Sequence, residues 1–121
     1  MDSFRDFEAG PDPFGRKYRV VFKWMQTAIA IRGADTVDVK FIVTADDGET
    51  VERVIALPHA LLLKHSDSTG QPVTDPWCNR LAAEHLRTMI ETGEDLDKSL
   101  VTLDEHQIAT ADAALPKPAV R

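Results

Sequence analysis

The sequence predicts an α+β domain: an antiparallel sheet of three to four strands within residues 17–57, covered on one face by two or three helices. Three observations predict it. Within residues 36–57, Val37, Val39, Phe41 and Val43 recur with a period of two against Asp38, Lys40 and Thr44. Residues 18–31 are rich in β-branched and aromatic side chains. Beyond residue 58 the apolar period changes from two to that of a helix, and capping residues appear at the breaks.

The stretch TVDVKFIVTADDGETVERVIAL carries the clearest element. Val37, Val39, Phe41 and Val43 share one face, and Asp38, Lys40 and Thr44 the other. The turn is decided by register. A two-residue Asp47-Gly48 turn sets Val43 opposite Glu52 and mixes the faces. A three-residue loop of Asp46, Asp47 and Gly48 pairs Val43 with Val51, Val39 with Ile55 and Val37 with Leu57, and puts Gly48 where a left-handed residue is needed. That register sets Arg53 on the apolar face opposite Phe41. It is either an anion-binding guanidinium in a groove or an edge arginine laying its stem on Phe41 with its head in water.

Upstream, YRVVFKW alternates Tyr18, Val20, Phe22 and Trp24 against Arg19 and Lys23, and Ile29 and Ile31 continue the alternation. The same residues also fit a helix face of Val20, Val21, Trp24, Ala28 and Ile31. The missing N-cap and the turn-like Arg32-Gly33-Ala34-Asp35 favour strands.

Downstream, Pro58 opens a short helix in PHALLLKH, and SDSTGQPVT reads as a loop. Asp75 is the expected N-cap of the next helix, with Pro76 in its first turn and Gly93 as its stop. Leu81, Ala82, Leu86, Met89 and Ile90 form its apolar stripe. Residues 99–103 are a short strand or extended connection. Asp104 with Gln107 forms a capping box that opens a last helix ending near Leu115.

At 121 residues the chain fits one domain. It divides into an N-terminal arm (1–15), a body (16–115) and a short flexible tail (116–121) that two prolines keep out of regular structure. No apolar run approaches the ~20 residues that span a bilayer, no signal-peptide pattern opens the chain, and one cysteine makes no internal disulfide. A soluble cytoplasmic protein without membrane partners is expected. The net charge of −6 argues against general nucleic-acid binding. The basic group Arg16, Lys17, Arg19 and Lys23 is the exception, and it reads better as a solvated face. Acidic groups at Asp46–Glu52 and Glu91–Asp97 complete a pattern of opposite-sign patches that can guide self-association.

Candidate chemistry is sparse. Cys78 falls in the first turn of its helix, where backbone N–H groups favour thiolate. Asp75 opposes that effect, and His85 lies two helical turns away, about 10 Å, too far to act as its base. Cys78 also shares a face with Ala82 and Met89, as a small buried hydrophobe does. His59, His65, His85 and His106 have no zinc spacing; His59 and His65 with Asp67 are a weak triple, and no metal or cofactor is expected. Gly-rich phosphate loops and nucleophile-elbow motifs are missing from the sequence.

Phe4, Phe7 and Phe14 crowd the first fourteen residues, where no local element buries them, so the arm either folds over its own domain or docks on a partner subunit. The expected function is therefore a small non-catalytic interaction or accessory domain that self-associates into a homo-oligomer, with Phe4, Phe7 and Phe14 at the interface. The alternative is a small-molecule or thiol-dependent site at the start of the Asp75 helix, built from Arg53, Trp77 and Cys78.

Overall fold

The computed structural model describes residues 4–28 and 35–115. Its elements, in chain order, are β1 (Asp6–Ala9), β2 (Tyr18–Ala28), β3 (Thr36–Ala45), β4 (Thr50–Pro58), α1 (His59–Thr69), α2 (Asp75–Thr92), β5 (Leu100–Thr102) and α3 (Glu105–Ala114). The strands form one sheet in the order β1-β2-β3-β4-β5. All neighbours are antiparallel except β4 and β5, which run parallel because α1 and α2 carry the chain back between them. The fold is α+β with three helices, as expected, but the sheet has five strands rather than three or four and extends beyond residues 17–57 at both edges.

The central hairpin has the register that its faces require. Val43 pairs with Val51, Val39 with Ile55, Val37 with Leu57 and Phe41 with Arg53. Ala45 N–H donates to the Glu49 carbonyl at 2.8 Å, closing a loop of Asp46, Asp47 and Gly48, and Gly48 takes φ 87°. A one-residue slip would carry Val39, Phe41 and Ile55, all fully buried, onto the solvent face.

Residues 18–28 are a single strand, which settles strand against helix for that span; Ile29 and Ile31 lie outside the described residues. The strand carries a bulge the alternation did not reveal. Phe22 pairs with Phe41, but the next pairs are Trp24 with Lys40 and Met25 with Val39. Met25 thus inherits the core-facing position, and Trp24 turns to the other face, where the Lys40 ammonium lies 5.3 Å from its ring centroid.

The N-terminal arm is part of the sheet. Its DFEA segment alternates exposed Asp6 and Glu8 with buried Phe7 and Ala9, and pairs along β2 from Tyr18 to Val21. The turn that follows is organised by Asp12, which is almost fully buried. Its Oδ1 accepts the N–H groups of Phe14 and Arg16, and its Oδ2 accepts the Tyr18 hydroxyl at 2.6 Å. The tail at 116–121 lies outside the described residues.

The helices cover one sheet face. α1 runs through Thr69, so Ser66–Thr69 are helical rather than loop, and Gly70 closes it in the left-handed conformation. α2 is capped by Thr74, not Asp75: the Thr74 hydroxyl accepts from Trp77 N–H at 3.3 Å, and Asp75 becomes the first helical residue, where its charge still favours the helix start. Gly93 ends it as expected. Asp104 and Gln107 form both bonds of the capping box that opens α3. The core is where β-sheet and helices meet: Phe7, Val20, Phe41, Ile55 and Leu57 from the sheet against Leu62, Leu81, Leu86, Ile90 and Ile108 from the helices.

Candidate functional site

The groups that suggested chemistry are occupied structurally. Cys78 is buried, and burial together with the nearby Asp75 carboxylate pushes its thiol up to about 11. At neutral pH that leaves about one thiol in ten thousand ionised, so the helix dipole does not win. Trp77 is also in the core. Its indole N–H donates to Asp112 Oδ1 at 3.0 Å, and its ring stacks on His65 at 6.0 Å between centroids. His65 Nε2 lies 2.8 Å from Asp112 Oδ2, so its acidic partner comes from α3 rather than from Asp67. The result is a three-helix clasp with both Asp112 oxygens engaged.

Arg53 lies apart from this clasp. Its Nε and Nη2 both donate to the Leu96 carbonyl, at 3.2 and 3.0 Å, and Nη1 donates to the Glu52 carbonyl at 2.9 Å. The guanidinium therefore ties the segment after α2 to the sheet instead of resting in water. It borders a cleft of about 260 Å³ with Tyr18, Val51 and Leu86, and neither Trp77 nor Cys78 borders that space. The three residues of the alternative site are not brought together.

The three arm phenylalanines also separate. Phe7 is buried in its own sheet, Phe4 is half-buried against the core, and Phe14 is 89% exposed. The arm folds over its own domain, leaving Phe14 as its one projecting ring among the described phenylalanines.

His85 and His106 border another cleft, of about 380 Å³, with Glu94 and Asp104. Burial lowers the His85 pKa against the pull of Glu94, Asp95 and Asp104. Among the described residues, no cluster of three or more His, Cys, Asp or Glu is arranged to hold a metal ion, and no helix is long and apolar enough to cross a membrane.

Two surfaces remain. The first is the sheet face away from the helices. Its outward residues include Val21 beside Ile42, and Trp24, Lys40, Val54 and Leu100 in one row across four strands. Val21, Ile42, Val54 and Leu100 thus make a diagonal apolar band, with Val21 38% and Leu100 53% exposed. Its flanking ions are paired within the chain: Glu52 bridges Lys23 at 2.9 Å and Lys40 at 2.7 Å, and Arg19 meets Asp6 at 2.8 Å. The two ammonium groups hold the Glu52 carboxyl down at about 2.

The second surface is a cleft of about 730 Å³ where β1 stops short of the end of β2. The arm supplies Phe4 and Arg5, the β2 bulge Phe22, Lys23, Trp24 and Met25, and the start of α2 Asp75, Pro76, Asn79 and Arg80. Arg5 lies 5.1 Å from the Phe22 ring centroid and Arg80 5.9 Å from that of Phe4. Asn79 is only 6% exposed; its Nδ2 donates to the Phe4 carbonyl at 3.1 Å, while its Oδ1 has no hydrogen-bond partner. An unpaired buried acceptor of this kind costs about 1–3 kcal/mol. Sequence reasoning missed Arg5, Asn79 and Arg80. A signal existed for Asn79, which shares a helix face with Ala83, Leu86 and Ile90, a polar residue on an apolar stripe.

No protein-family model matches the chain, and no curated protein or solved structure matches it.

Proposed function

We propose that the chain is a small non-catalytic interaction domain that pairs with a second copy of itself through the uncovered face of its sheet. The observation that carries this reading is the diagonal band of Val21, Ile42, Val54 and Leu100, set where an antiparallel sheet facing water normally presents polar side chains. The ions around the band are already matched within the chain, so covering the face strands no unpaired charge. The area is adequate. Four strand spacings of about 4.8 Å by about 25 Å of strand give a plane on the order of 500 Å², and side-chain relief raises the accessible area toward the ~800 Å² per partner of a standard interface.

The same band meeting itself across a two-fold axis is the commonest form of such association. Cys78, His65 and Arg53 support the non-catalytic part, since each is held by burial or by its own chain.

Sedimentation of the full chain against a Val21→Lys/Leu100→Arg double variant tests the proposal. A dimer in the native chain and a monomer with unchanged far-ultraviolet dichroism in the variant is the expected pair of results. A native monomer at every concentration, or a variant that still dimerises, would overturn it.

A further inference from the structure

We propose that the cleft between the β2 bulge and the start of α2 is a binding site for a small aromatic anion whose ring carries an N–H or O–H donor. Each part of that ligand answers a group in the cleft. Phe4 and Phe22, each with a guanidinium over one ring face, offer ring edges to a flat apolar body. Arg5, Lys23 and Arg80 set three cations against one acid, Asp75, in a chain whose net charge is −6. The local sign is thus opposite to that of the whole protein, which draws a small anion to this place without making the molecule a polyanion binder.

Lys23 is held by Glu52, whereas Arg80 is exposed and, among the described residues, in no ion pair; its guanidinium is the anion's partner. Asn79 supplies the third requirement. Its amide nitrogen is committed to the Phe4 carbonyl, which fixes Oδ1 as an acceptor without a donor, and it borders the cleft while almost wholly buried. A ring N–H or O–H answers that acceptor. The space, about 730 Å³, lies within the range of small-ligand sites.

Three probes of similar shape separate these parts in calorimetric titrations of the full chain. Indole-3-acetate has ring, anion and donor; indole-3-acetamide lacks the anion; naphthalene-1-acetate lacks the ring N–H. Indole-3-acetate is expected to bind at millimolar concentration or tighter, the amide about tenfold more weakly and the naphthalene about fivefold more weakly. Arg80→Ala, an exposed change that leaves the fold intact, is expected to bring the acetate to the level of the amide.

The Val21→Lys/Leu100→Arg variant is expected to bind as the native chain does, so loss of self-association and loss of this site are read separately. Equal affinity for the three probes, no binding of indole-3-acetate, or an Arg80→Ala variant with native affinity would overturn the assignment.

Discussion

His65 Nε2 and Asp112 Oδ2 stand 2.8 Å apart, joining α1 to α3 across 47 residues of sequence, and the other oxygen of Asp112 holds the Trp77 indole of α2. One acidic side chain thereby ties all three helices together, while the exposed Lys64–Glu105 ion pair at 3.0 Å links only α1 and α3. Asp112→Ala leaves the Trp77 N–H and His65 without this partner in a buried setting. The expected loss is about 2–4 kcal/mol, read from urea unfolding. Asp112→Asn keeps an acceptor for the indole and is expected to lose less. Equal stability of native and Ala forms would show that the clasp contributes nothing.

A second pair reports on the turn after β1. The Tyr18 hydroxyl donates to Asp12, and burial together with that carboxylate pushes the phenol up from 10.0 to about 12. The folded-state value is raised, so the folded chain holds this proton more tightly than the unfolded chain. The stabilisation is therefore fully present below pH 10.0 and is lost as the pH rises toward about 12. Tyr18 is the only tyrosine, so phenolate absorbance follows it alone. Asp12→Asn is expected to return the titration toward 10.0, and an unshifted midpoint in the native chain would refute the bond.

Cys78 gives a kinetic prediction. Its thiol is buried and held near 11, so a disulfide reagent is expected to react with the native chain only at the rate at which α2 opens. Urea is expected to restore full reactivity, and Cys78→Ala to cost about 1 kcal/mol as a small cavity. Rapid labelling of the native chain at neutral pH contradicts this placement.

Arg53 shows how a residue that looks functional works structurally. Two of its nitrogens converge on the Leu96 carbonyl, a geometry that a lysine ammonium does not reproduce. Arg53→Lys and Arg53→Met are both expected to destabilise by about 1–2 kcal/mol and to speed hydrogen exchange in residues 94–99. If the lysine variant matches the native chain, the forked contact is not what holds that segment.

Local signals made much of the fold legible. The β3–β4 register followed from the cost of turning Phe41 and Val39 outward, and the α3 start followed from Asp104 and Gln107, three residues apart. The bulge was not legible, because Trp24 suits either face of a strand; only the pairing of Met25 with Val39 shows which residue moved inward. β1 escaped because DFEA offers just four residues of alternation beside a run of prolines and glycines. The candidate sites were still less visible. The cleft joins residues 4–5, 22–25 and 75–80, and the outward band joins residues 21, 42, 54 and 100, distances along the chain that no local pattern encodes.

The outward band makes a thermodynamic prediction distinct from sedimentation. If Val21, Ile42, Val54 and Leu100 are covered only in a pair of chains, unfolding of the native protein releases two molecules from one. Its midpoint temperature must then rise with protein concentration, because mass action favours the associated folded form. The Val21→Lys/Leu100→Arg variant removes two apolar members of the band at positions already exposed, 38% and 53%, so the folded monomer loses little. Its midpoint is expected to be independent of concentration. At high dilution the two proteins are expected to converge, since the native chain then unfolds from the monomer as well. A native midpoint that stays fixed over a hundredfold change in concentration, on the order of 2.7 kcal/mol of linkage for a site well above its dissociation constant, removes the band as a self-association surface.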